Sequence, residues 1–134
     1  MNFKLLKLNK KCLLLSFVLL SLLVYIALFI NDQFIRPFLG DVLVVIWLYL
    51  FLNSFIKLKK YKLAHLVLLF SYLVETAQFF NLVALLGLQN IKIARIIIGT
   101  TFDWFDIIAY TVGWILILLI ELFNTNQRTL TAKK

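Results

Sequence analysis

The feature that most constrains this chain is its first uncharged run, Cys12 to Ile30, 19 residues without Asp, Glu, Lys or Arg. As an α-helix rising about 1.5 Å per residue it reaches about 28 Å, close to the roughly 30 Å of a bilayer's hydrocarbon core. A cleaved leader has a shorter apolar core, about 7 to 15 residues, ending in a small-x-small site. Leu28-Phe29-Ile30-Asn31 offers none, so the run is expected to remain as a membrane span.

Three more apolar runs follow. Val42 to Ile56 is too short alone, so the second helix should start near Pro37, a favoured first-turn position, and carry Asp41 in below the surface. Lys57, Lys59, Lys60 and Lys62 end it. The third run starts at Leu63 and is interrupted by His65, Glu75 and Gln78; the last runs from Ile107 to Phe123. The stretch 89–105 mixes Lys92, Arg95 and Asp103 with isoleucines and reads as an interfacial or partly re-entrant segment. The expected fold is all-α: a polytopic transmembrane helix bundle forming one domain over residues 1–134, with spans near 12–30, 38–56, 63–82 and 106–123. With 63% hydrophobic and 15% charged residues, the chain is too apolar for a water-soluble domain.

The net charge of +8 does not indicate a nucleic-acid partner, because the basic residues sit in short clusters between apolar runs and line no polar face. They read as topology signals. With the N-terminus inside, eleven of the 14 basic residues fall on inner segments, and only Arg36, Lys92 and Arg95 fall outside, so an N-in/C-in arrangement is expected. Trp104, between Phe102 and Phe105, reads as an outer interfacial anchor. The single Cys12 permits no intramolecular disulfide and reads as a small apolar residue.

The acids are distributed the other way. Asp32, Asp41, Asp103 and Asp106 fall at or near the outer face, and Glu75 lies about 18 Å into the third helix from Leu63. A charged carboxylate at mid-membrane costs about 2.5–3.5 kcal/mol on insertion scales, so Glu75 must be neutral, paired or facing a wet cavity. Ser71, Glu75 and Gln78 follow i, i+4, i+7 spacing, and Asp103, Asp106, Tyr110 and Gly113 form a second stripe of helical spacing. Packed face to face, with Ala109 and Gly113 allowing close approach, the two stripes would enclose one polar site with Arg95 as the nearest counter-charge. The candidate ligand-binding residues are Arg36, Asp41, Glu75, Gln78, Arg95, Asp103, Asp106 and Tyr110; Glu75 and Asp106 are the candidates for acid–base chemistry. A single histidine, His65, argues against a His/Cys metal site, and no outer histidine serves Ser16, Ser21, Ser54 or Ser71 as a catalytic base. No phosphate-binding glycine loop is present, and no cofactor is implied.

The set Glu75-x-x-Gln78, Arg95, and Asp106 with Tyr110 and Gly113 resembles the signature of the VanZ-like family of small bacterial membrane proteins. Arg36-Pro37-Phe38-Leu39-Gly40-Asp41 and the stretch 99–104 resemble a narrower, uncharacterised group, sometimes labelled ribosomal maturation proteins of the YjgA type. VanZ-like proteins are associated with tolerance of teicoplanin, so the resemblance implies a multi-pass protein of the bacterial cytoplasmic (inner) membrane acting in the cell envelope. Three functions are then weighed. The first is non-catalytic binding of a membrane lipid, lipid-linked glycan or partner helix. The second is an enzyme using Glu75 or Asp106 on an amphiphilic substrate; the third is a proton or ion pathway or a structural subunit. A closed polar network that only sets helix register is the plainest reading of the same residues.

Overall fold

The computed structural model describes residues 6–98 and 102–133. Residues 99–101 of the 99–104 stretch, and Lys4 and Lys134 of the basic tally, lie outside the described residues. The described chain is all-helical: α1 (Lys10–Phe29), α2 (Ile35–Phe55), α3 (Lys60–Phe79), α4 (Leu82–Leu85), α5 (Lys92–Ile98) and α6 (Trp104–Ala132).

Local chemistry sets the ends. The Asn9 side chain accepts from the Lys11 and Cys12 N–H groups and caps α1. Asp32 Oδ1 accepts from the N–H groups of Phe34 and Ile35, each at 2.8 Å, ahead of α2. These bonds, that from Ile35 first, hold its carboxyl below the usual carboxylate range. Asn81 takes the left-handed conformation at φ 53° and stops α3. Gly87 does the same after α4 at φ 70°, with Leu88 N–H bonded to Val83 C=O at 2.9 Å. The third apolar run therefore ends at Phe79, and residues 82–85 form a separate turn of helix. Asp103 accepts from Phe105 N–H at 3.0 Å and caps α6. That helix continues past the last apolar residues to Ala132, so its 29 residues span about 43 Å. Nothing between 124 and 132 breaks a helix, and the hydroxyls of Thr125, Thr129 and Thr131 bond back to carbonyls of the preceding turn.

Three helices, α1, α2 and α6, are long and apolar enough to cross a membrane. α3 matches α1 in length at 20 residues but carries Lys60, Lys62, His65 and Glu75, which dilute its apolar character. α2, α3 and α6 pack on one another around Val45, Tyr49, Leu63, Ala64, Val67, Tyr110 and Ile117, while α1 packs on α2 alone. Most of the α1 circumference, including Leu14, Phe17, Val18 and Leu28, stays exposed, as suits a helix surrounded by lipid.

The close helix approach is between α6 and α2. A Cβ added at Gly113 would lie 2.8 Å from the Val42 carbonyl oxygen and 3.1 Å from Val45 Cβ. The spacing of Ala109 and Gly113 marks a tight contact, but Gly113 serves α2 and not the α3–α6 contact expected from the two polar stripes. A one-dimensional stripe gives a helix's face without giving the neighbour that meets it.

The lysine-rich segments gather at one end. Lys7 N–H bonds Phe55 C=O and Asn9 N–H bonds Ser54 C=O, both at 2.8 Å, laying the segment before α1 along the end of α2. Buried Asn53 accepts from Lys7 Nζ and donates to Cys12 Sγ, both at 3.4 Å. Nearby, Tyr49 O–H donates to Glu121 Oε1 at 2.9 Å, and Lys60 Nζ lies 3.0 Å from Glu121 Oε2. These links join α1, α2, α3 and α6 where their basic flanks meet.

Two stability predictions follow from this packing. Gly113→Ala should lower the midpoint of thermal unfolding in detergent, overpacking of this kind costing about 1–3 kcal/mol. Gly40→Ala, whose Cβ meets nothing within 4 Å, should leave the midpoint unchanged or raise it; equal losses at both positions would contradict the packing. Lys60→Met should destabilise by about 1–3 kcal/mol through an unpaired buried carboxylate, and adding Glu121→Gln should restore most of the loss. A double variant no more stable than Lys60→Met would show that the ion pair is not what Glu121 requires.

Candidate functional site

At the end opposite the lysines, carboxyl groups from three helices meet. Glu75 on α3 has no exposed surface, so its oxygens must be satisfied inside the protein. Its Oε1 accepts from Asp103 N–H at 3.0 Å and its Oε2 accepts from Tyr110 O–H at 3.4 Å. Asp103, placed there by its role as the α6 cap, thus presents its side chain to α6 and its N–H to α3. One turn along, the Asp106 carboxyl lies near Glu75 on one side and near Asp41, from α2, on the other. Asp41, Asp106 and Glu75 thus bring α2, α6 and α3 together, with the Tyr110 O–H and the Asp103 N–H donating to Glu75. Beside them Tyr72 and Thr111 join α3 to α6 through their hydroxyls.

Of the residues singled out from sequence, Asp41, Glu75, Asp103, Asp106 and Tyr110 come together here. Gln78 lies half-buried one turn beyond Glu75. The remaining member of the α3 stripe, Ser71, bonds its own helix at Val67 C=O. Among the described residues neither Arg36 nor Arg95 forms an ion pair with these carboxyls, although Arg36 lines a groove together with Asp41. Arg95 is exposed in the last turn of α5, and the ion pair seen among the described residues is Lys60–Glu121 at the other end. Among the described residues no group of three or more His, Cys, Asp or Glu has an arrangement that would hold a metal ion.

Two cavities meet at Arg36 and Pro37. The first is a groove of about 410 Å³ between α1 and α2, within the size range of small-molecule sites. Leu20, Leu23, Val24 and Ala27 form one wall, and Gly40, Val44 and Trp47 of α2 form the other, with Ile26 also lining it. Both sets follow helical spacing, so each is one continuous face. Its polar side chains are Arg36 and Asp41, both towards the α2 N-terminus. From Arg36 to Trp47 it runs about 16 Å, or half the hydrocarbon thickness. The second cavity, about 490 Å³, is lined by Asn31, Asp32, Gln33, Arg36 and Pro37. An apolar groove and a polar cavity thus share Arg36 and Pro37 in their linings. A third, small pocket of about 50 Å³ lies between residues 33–38 and 103–106 and is lined in part by Asp103 and Asp106.

The groove was not read from the sequence. Its one signal there is Gly40, a residue that weakens a helix interior by about 1 kcal/mol relative to Ala. At Gly40 neither a left-handed backbone nor a close neighbour demands glycine, because an added Cβ meets open space. What the missing side chain leaves is room in the groove.

No curated protein and no solved structure matches the chain. A family model described as "Protein of unknown function (DUF2809)" matches residues 30–114. The matched stretch takes in α2, α3 and the start of α6, and with them Arg36, Asp41, Glu75, Asp106 and Tyr110. It carries neither the VanZ-like nor the YjgA label. Covering more than half of the chain, including the elements that build the carboxyl cluster and the α2 wall of the groove, this match assigns the protein to the DUF2809 family of proteins of unknown function.

Proposed function

We propose that this protein is a non-catalytic envelope protein that takes up a lipid-like amphiphile from the outer leaflet, in the groove between α1 and α2. The observation that carries the reading is the junction at Arg36 and Pro37 of an apolar groove with a polar cavity. An amphiphile needs those two environments in that order. The groove's length of about 16 Å suits a chain that reaches the middle of the bilayer from one surface. Arg36 at the junction suits the anionic group at the head of such a molecule, with Asp41 available to a hydroxyl. Glu75 and Asp106 do not line the groove, and the 50 Å³ pocket beside Asp106 has room for water only. We therefore assign the carboxyl cluster to holding α2, α3 and α6 in register, so that the α2 wall of the groove keeps its place.

The setting belongs to the same proposal. α3 is taken as a fourth span, its Glu75 satisfied inside the bundle, within one transmembrane domain of the bacterial cytoplasmic membrane. The lysine-rich end is taken as cytoplasmic by the positive-inside rule. The resemblance to VanZ-like proteins supports an envelope ligand, a lipid or a lipid-linked glycan.

Gly40→Leu fills the groove from a position with no neighbour to strike. Native mass spectrometry of the purified protein should show retained lipid falling at least threefold in this variant, with Gly40→Ala close to the parent protein. Unchanged retention in Gly40→Leu would refute the groove as the binding site. Topology follows from thiol labelling of intact cells in a Cys12→Ser background. Asn90→Cys should react with a membrane-impermeant reagent and Lys59→Cys, at an exposed position beside α3, should not; the reverse pattern would invert the proposed orientation.

A further inference from the structure

Resting on the groove reading above, the polar mouth narrows the ligand's class. We propose that the site selects a phospholipid whose headgroup carries a primary ammonium beyond its phosphate, a phosphoethanolamine type, with Arg36 taking the phosphate and Asp32 the ammonium.

The argument is one of charge order along a single path. A phospholipid seated with its acyl chain against Val44 and Trp47 brings its phosphate to the level of Arg36, where apolar groove gives way to polar cavity. A guanidinium is well matched to phosphate, offering paired donors in a planar fork. Whatever the headgroup carries past the phosphate then enters the cavity lined by Asn31, Asp32 and Gln33. The formal charge in that cavity besides Arg36 is Asp32, so its order of charges is positive then negative from groove to solvent. The complementary headgroup is negative then positive.

Asp32 is suited to the part. Both backbone N–H bonds it accepts end on Oδ1, which fixes the carboxyl at the start of α2, one helical turn before Arg36. The same bonds favour its ionised form. The side-chain amides of Asn31 and Gln33 add neutral acceptors for an ammonium's remaining hydrogens, which a quaternary ammonium lacks.

The test is competition in native mass spectrometry. Purified protein is exposed to equal amounts of phosphatidylethanolamine, phosphatidylcholine and phosphatidylglycerol with identical acyl chains. Phosphatidylethanolamine should be retained at least threefold over phosphatidylglycerol, with phosphatidylcholine between them. Asp32→Asn keeps an oxygen for the two backbone N–H groups and should abolish that preference while leaving total lipid bound. Arg36→Ala should reduce all three phospholipids together. Equal or greater retention of phosphatidylglycerol, or a preference that survives Asp32→Asn, would overturn the headgroup assignment. The groove reading fails separately, through unchanged retention of every lipid in Gly40→Leu.

Discussion

A carboxyl group sealed from water inside an apolar bundle must find its partners within the protein, and the half of this molecule away from the lysines is organised around that requirement at Glu75. Removing an ionised or polar group from solvent without partners costs several kcal/mol, more than most single contacts return. Glu75 meets the requirement with donors from α6 and its cap: the Asp103 N–H and the Tyr110 hydroxyl. Those two donors lie seven residues apart, on one face of the α6 N-terminal segment. Their convergence on a single side chain of α3 fixes how far α6 can slide or rotate. Asp106, between them in sequence, is thereby turned towards Asp41, and α2 is drawn into the same network.

The tight approach at Gly113 works with the same register. The Val42 carbonyl occupies the space a side chain at 113 would need, so α2 and α6 nest most closely one residue beyond Asp41. Close backbone packing and a buried polar cluster reinforce each other where lipid supplies no hydrophobic drive for helices to associate. α1 has no part in either device, for it packs on α2 alone and carries Ser16 and Ile26 as its buried residues. A helix that packs on a single partner leaves a groove beside that partner more easily than one enclosed by the core.

What was legible in the sequence follows this division. Apolar run length gave the first two long helices, and helical spacing placed Glu75, Asp103, Asp106 and Tyr110 on facing stripes, because both depend on one helix at a time. The partner of Gly113 was not legible, since it depends on which helix lies across from it. Nor was the Lys7–Asn53–Cys12 chain of contacts, whose members are 41 and 46 residues apart in pairs. Arg95 was matched to Glu75 on charge alone. The structure instead satisfies Glu75 with neutral donors, which a search for an opposite charge overlooks. The stretch expected as the last span, 106–123, lies inside α6, which continues as helix to Ala132 because 124–132 becomes polar without containing a helix breaker.

The two ends of the bundle use their charges differently, and the difference bears on where a ligand can enter. At the basic end Glu121 is answered by Lys60 and Tyr49, and the N-terminal segment is laid against the end of α2 by backbone hydrogen bonds. That closes the space between α1 and α2 there. At the acidic end the connection from α1 to α2 is only the short stretch 30–34, and Asp32 spends its hydrogen bonds on starting α2 and none on α1. The helices are pinned together at one end and left apart at the other, where Gly40 withholds the side chain that would fill the gap. On the proposed reading, a cleft closed at the basic end and open at the other, apolar along its walls and charged at its rim, takes its ligand from one leaflet only. Under that proposal, orientation in the membrane decides which leaflet's lipids the groove samples.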